Sequence, residues 1–261
     1  MQEKKSIYFS RTYRHLRINT SRFLAYMLLF VVPVLAVLIL SLNKLTHFIC
    51  NICIKVLAVY FPGVPFNIVT IPFAKLGNIN YVDLPTIYPN QNLIMINLIV
   101  CLVILVLVTI RKLKSKPLAI YLFINATIQL INCIYFAFAT NDFPMRAAVY
   151  SKMYIQQQVG IWIAFVVLAG FCTAFVGDRE YIYKMLTVLA ILAYSIVFGA
   201  VRYIVFMFIL EQYSFFYTAL MYFVVGPLLD FMYFVTIYAF FINKMINKLD
   251  SAKERGNWEW S

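Results

Sequence analysis

The feature that most constrains this chain is a run of twenty residues without a single charge, FLAYMLLFVVPVLAVLILSL, from Phe23 to Leu42. About 20 mostly apolar residues are what a helix needs to cross the roughly 30 Å hydrocarbon core of a bilayer. Similar runs recur at Leu93–Ile110, Leu118–Ala139, about Ile155–Val176, about Met185–Leu210 and about Phe215–Ile242. Hydrocarbon offers no hydrogen bonds, so each run must satisfy its backbone internally and reads as a helix; a proline such as Pro33 is tolerated there. Apolar residues make up 64% of the chain and charged residues 12%. A soluble domain has roughly 45–50% and about 25%, and one of this size leaves too much surface in water to hide so much apolar area. The sequence predicts an all-α polytopic membrane protein with about six transmembrane helices. It excludes a cytosolic enzyme, a secreted disulfide scaffold and a disordered tail.

Two segments do not fit the spanning pattern. NKLTHFICNICIKVLAVYFPG carries Lys44, His47 and Lys55 among apolar residues. It reads as an amphipathic helix lying in the interface, residues 44–61, or as an extension of the first span. Residues 62–90 hold Pro62, Pro65, Pro72, Pro85 and Pro89, which argue against a helix. Between the prolines, FNIVTI and INYVDL are short β-prone runs that fit a small hairpin at the outer surface. The expected organisation is a basic tail at 1–22, a membrane domain at 23–243 with 62–90 as its outer segment, and a second tail at 244–261.

The formal net charge is +12, and its distribution decides what that means. If six spans put both termini on one side, that side carries sixteen Lys and Arg, from the first tail, residues 111–116, the loop at 178–184 and the last tail. The opposite side carries five, Lys44, Lys55, Lys75, Arg146 and Lys152. This asymmetry is the positive-inside pattern and predicts both termini in the cytoplasm. The partner of these charges is therefore the lipid bilayer, and no nucleic acid is expected. A polar, basic start, MQEKKSIYFSRTYRHLRINTSR, with an apolar run too long for a signal sequence, points to a retained anchor. A bacterial inner (cell) membrane suits this pattern.

Cys50 and Cys53 form a CxxC, three residues beyond His47, and Cys101, Cys133 and Cys172 are dispersed. No fourth metal ligand lies nearby, so these cysteines read as small apolar residues of membrane helices, and neither a metal nor a cofactor is expected.

Ionisable residues within spans cost at least about 2.5–3.5 kcal/mol each and mark functional positions. Arg202, in GAVRYIVFMF, and Asp230, in VVGPLLDFMY, are the two that stand out. On antiparallel fifth and sixth spans they reach similar depth. They can form a buried ion pair that fixes helix register, or Arg202 can hold a substrate or anion. Gln156, Gln157 and Gln158 open the fourth span and either line a polar pocket or mark the interface. Asn125, Gln129 and Asn132 share a helical face in the third span, where amides bond across helices. Glu211 and Gln212 mark the water interface at the end of the fifth span.

The segments FGAVRYIVFMFI and FFYTALMYFVVGPLLDFMYF resemble the end of the exosortase/archaeosortase family. Members are polytopic membrane proteins that cleave and re-anchor surface proteins or work beside exopolysaccharide genes. The family pattern is a nucleophilic Cys in a Cys-Ser-Gly-like motif, an Arg, and a His opening the last span. Arg202 is similar to the family's arginine in context. Gln158-Val159-Gly160 stands in the place of the Cys motif, and Tyr217 or Tyr222 in the place of the His. Cys172, near the opposite end of the fourth span from Arg202, does not supply the missing thiol. The resemblance implies a non-catalytic relative.

The function expected from the sequence is a non-enzymatic membrane scaffold or accessory subunit in surface-protein or exopolysaccharide handling. Its polar centre would be Arg202, Asp230, Gln156, Gln157, Gln158, Tyr217 and Tyr222, with protein partners in a membrane complex. The alternatives are a transporter or channel subunit with a polar path through Asn125, Gln129, Asn132, Arg202 and Asp230, and an active membrane transpeptidase or protease. The last would use a hydroxyl such as that of Ser151 or Tyr154. A purely structural subunit also fits.

Overall fold

A computed structural model describes residues 14–16, 20–110, 116–139, 145–175, 181–223, 225–249 and 258–260. The protein is mostly helical, and among the described residues five helices are long and apolar enough to cross a membrane. These are α1 (Thr20–Tyr60), α2 (Gln91–Ile110), α3 (Lys116–Ala139), α4 (Ala147–Ala174) and α5 (Tyr181–Tyr213). Two further helices follow, the short α6 (Thr218–Phe223) and α7 (Pro227–Leu249). Most of the basic segments, including 1–13, 111–115, 178–180 and 250–257, lie outside the described residues.

Helix α1 corrects the expectation of a separate interfacial helix at 44–61. The first span runs on to Tyr60 as one helix of 41 residues, about 62 Å at 1.5 Å per residue, twice the thickness of a hydrocarbon core. Its one irregularity is a π-turn at Met27–Val31, closed by Val32 N–H donating to Met27 O. Pro33 follows at once. Its missing N–H and its ring prevent the regular bond to the carbonyl four residues back, and a widened turn accommodates this. Leu42, Thr46, Ile49, Cys50, Cys53 and Leu57 are buried along one stripe. The amphipathic pattern is thus real, and its apolar stripe is buried against protein.

The covering element is an antiparallel pair, β2 (Asn67–Pro72) and β3 (Asn78–Asp83), with Ile68 opposite Val82 and Thr70 opposite Asn80. Phe73 N–H donates to Gly77 O at 2.7 Å to close the turn, and Gly77 holds φ 126°, a conformation that favours glycine. Asn80 fixes the hairpin onto α1. Its backbone N–H donates to Thr46 Oγ1 at 3.0 Å and its side-chain Nδ2 to Asn43 Oδ1 at 2.7 Å. Thr70 Oγ1 donates to Asn80 Oδ1 at 2.7 Å, and the Cys50 thiol donates to the Asn80 carbonyl at 3.3 Å. Val82 N–H reaches further, to the Tyr203 hydroxyl of α5 at 2.9 Å. Backbone donors on this side of β3 are therefore satisfied by side chains, as a buried strand edge requires.

The chain divides into two compact units. The larger comprises Leu38–Trp162 and Ser195–Met232, and contains the hairpin. The other comprises Met1–Val37, Ile163–Tyr194 and Tyr233–Ser261. Within it Gly170 lets Val31 pack directly on the α4 backbone, since a Cβ there would sit 2.5 Å from Val31 Cγ2. Lys184 Nζ lies 5.6 Å from the ring centres of both Tyr26 and Tyr181. A short strand β1 (Arg14–Leu16) pairs antiparallel with β4 (Trp258–Trp260), joining the two tails.

The last apolar run is not one helix. It begins as a 3₁₀ turn at Phe215–Tyr217, continues as α6, and restarts at α7. The run expected as a span at 215–242 is thus built from separate helical pieces, and the cause of the break is the Gly226-Pro227 pair. Pro227 has no N–H for the helical ladder and sits at the first position of α7, where none is needed. A Cβ on Gly226 would lie 2.3 Å from the Tyr222 carbonyl oxygen, so the chain can turn here only through glycine. Asp230 falls in the first turn of α7.

Candidate functional site: a saturated guanidinium at a helix break

Breaking a helix leaves carbonyls without N–H partners. In this protein an arginine from a neighbouring helix caps two carbonyls at the break, one of which, Gly226 O, also accepts Asp230 N–H at 3.5 Å. Arg202 Nη1 donates to Val225 O at 3.1 Å and to Gly226 O at 2.8 Å. Its Nη2 donates to Asp230 Oδ2 at 2.7 Å and to Gln158 Oε1 at 2.6 Å. Its Nε donates to the Tyr154 hydroxyl at 2.5 Å. A guanidinium has five N–H donors, and all five are engaged. Arg202 is 5% exposed, Gln158 2%, and Tyr154 and Asp230 1% each. The whole arrangement lies in the larger unit.

Local sequence explains how these groups converge. Tyr154 and Gln158 are four residues apart on α4 and so share a face. Gly199, three residues before Arg202 on α5, leaves the space that Gln158 fills: a Cβ there would lie 2.5 Å from Gln158 Nε2. The α4 side chains then hydrogen-bond the α5 backbone, Tyr154 Oη donating to Gly199 O at 3.4 Å and Gln158 Nε2 to Ser195 O at 3.5 Å. The guanidinium carbon sits 5.5 Å from the ring centres of Tyr154 and Phe198, within cation–π range. Asp230 stands at the N-terminal end of α7, where the helix dipole favours an anion. Asp230 Oδ1 and the nearby Tyr150 hydroxyl are buried atoms with no hydrogen-bond partner.

Of the residues singled out in the sequence, Arg202, Asp230, Gln158 and Tyr154 come together. Gln156 and Gln157 are half-buried on other faces of α4, a helix that starts at Ala147. Tyr217 donates to Asn97 Oδ1 at 3.1 Å, and the Tyr222 ring lies 6.3 Å from that of Tyr150. Neither tyrosine supplies a base beside the arginine. Ser151 and Tyr203 share a hydrogen bond of 2.7 Å and are both fully buried. The sequence reading missed Tyr203, Gly199 and the two break carbonyls. Only the Gly-Pro pair in VVGPLLD signalled the last of these.

The amide row on α3 behaves differently. Asn125 Nδ2 donates to Tyr121 O of its own helix at 2.6 Å, which corrects the expectation of a bond across helices. Asn132 Nδ2 reaches Phe216 O at 3.5 Å. Gln129 is 5% exposed, and neither of its amide atoms has a partner. Among the described residues no group of three His, Cys, Asp or Glu side chains could hold a metal ion.

No family model, no curated protein and no solved structure matches this chain.

Proposed function

We propose that this protein is a non-catalytic, exosortase-like membrane component, a scaffold or accessory subunit in surface-protein or exopolysaccharide handling. One observation carries the reading. Arg202, the residue similar to the family's arginine, has every N–H engaged by its own chain, and an amide, Gln158, stands beside it in the place of the nucleophile. A group with no free donor cannot stabilise charge developing on a substrate, and an amide nitrogen is no nucleophile. What such a centre can do is hold a broken helix in one conformation. We further propose six crossings, the sixth formed by α6 and α7 together, with both termini in the cytoplasm of a bacterial cell. The basic asymmetry and the pairing of β1 with β4, which needs both tails on one side, support this.

Complementation of a deletion strain tests the role. Loss of the gene should alter the surface-protein or surface-polysaccharide profile. Ser151→Ala and Cys172→Ala should restore it, whereas Arg202→Ala should not. A deletion with an unchanged surface would refute the assignment to surface handling. Failure of Ser151→Ala or Cys172→Ala at normal protein level would refute the non-catalytic reading.

A second reading, a channel or transporter subunit, draws on one observation, the buried and unpartnered amide of Gln129. It requires cysteines placed along α3 and α5 to react with aqueous thiol reagents at several depths. Silence throughout would remove it.

A further inference from the structure

The acceptors around Arg202 form a site in their own right. They are one hydroxyl, one amide oxygen, two backbone carbonyls and one carboxylate oxygen, from α4, the break and α7. None of these acceptors is contributed by α5, which supplies the occupant and the ring of Phe198. In membrane transporters, carbonyls and carboxylates at a discontinuous helix coordinate a cation. We infer that the gap between α4 and the α6–α7 break is a guanidinium-binding site, filled in cis by the side chain of Arg202.

Two features set the ligand class. The acceptors match all five donors of a planar fork, at 2.5 to 3.1 Å. An ammonium has three donors and would leave at least two buried acceptors unmet. Rings on two residues also face the cation, those of Tyr154 and Phe198, and a delocalised, weakly hydrated guanidinium suits such surroundings better than a metal ion or an ammonium. This inference rests on the reading of Arg202 as a filled centre, not on the surface-handling role, so the two fail separately.

Truncating Arg202 should vacate the site and leave its acceptors in place. The test uses the full-length protein in lipid nanodiscs and follows thermal unfolding. Arg202→Ala should lose several degrees in Tm. Low-millimolar guanidinium chloride should then recover at least half of that loss, saturably, as binding to the folded state requires. Sodium chloride and methylammonium chloride at equal ionic strength should not. The double variant Arg202→Ala/Asp230→Asn, which keeps the shape but removes the carboxylate, should no longer respond. A folded Arg202→Ala whose Tm rises no more with guanidinium than with sodium overturns the proposal, as does equal recovery with methylammonium. Should Arg202→Ala fail to accumulate, Arg202→Lys answers the same question. It retains the charge and should still lose several degrees, whereas a Tm equal to wild type would refute a site built for a planar fork.

Discussion

Two polar regions of this protein sit in apolar helices, and they are solved in opposite ways. Around Arg202 a full charge is buried, yet every donor meets an acceptor. On α3 the groups are neutral, yet Gln129 has no partner at all and Asn125 turns back on its own helix. The difference follows from energetic stakes. An isolated charge in low dielectric is so unfavourable that it must be paired; here the guanidinium is matched donor by donor, while Asp230 Oδ1 is left without a partner. An unpaired amide costs only about 1–3 kcal/mol, which a fold of this size can carry. What sets the two regions apart is that every donor of the buried cation is met, whereas the neutral amide of Gln129 is not.

Four substitutions can break or sharpen this contrast, each read as thermal unfolding of the full-length protein in nanodiscs. Removing one partner of a buried pair should have the largest effect. Asp230→Ala leaves the guanidinium without its counter-charge and should destabilise by about 3–5 kcal/mol. An unchanged Tm would mean that the carbonyls alone suffice. Gly199→Ala drives a methyl into Gln158 and should cost about 1–3 kcal/mol through overpacking. If it is neutral, Gln158 does not lie across α5 as described. Gln129→Leu should act in the opposite direction and stabilise by about 1–2 kcal/mol, because it removes the unpaired amide. Destabilisation there would reveal a partner and erase the contrast. Asn125→Ala should change stability by less than about 0.5 kcal/mol, since the lost bond is local.

How much of this was legible in the sequence depends on what each residue must contact. Long uncharged runs give helices because the backbone has no other way to be satisfied in hydrocarbon. Arg202 and Asp230 stand out in sequence because a charge in a span demands a counter-charge, and the ion pair measures 2.7 Å. The remaining acceptors were less visible. Backbone carbonyls at 225 and 226 have no side-chain signature, although the Gly-Pro pair that frees them does. Gly199 matters only because Gln158 approaches it. The extension of α1 to Tyr60 was obscured by Lys44, His47 and Lys55, which read as an interface. They occupy the outer faces of a helix whose opposite stripe is buried. Asn80, the clamp of the hairpin, lies in a stretch that periodicity marks only as β-prone, and its partners on α1 are thirty or more residues away.

Arg202 and Tyr203 are consecutive, so their side chains leave α5 about 100° apart. The first grips the start of α7 and the second holds the hairpin through Val82. Tyr154 touches both, stacking its ring on that of Tyr203 at 5.5 Å while its hydroxyl receives Arg202 Nε. One turn of α5 thus fastens two elements far apart in the chain, the hairpin and the restarted helix, with a single α4 tyrosine wedged between the two fastenings.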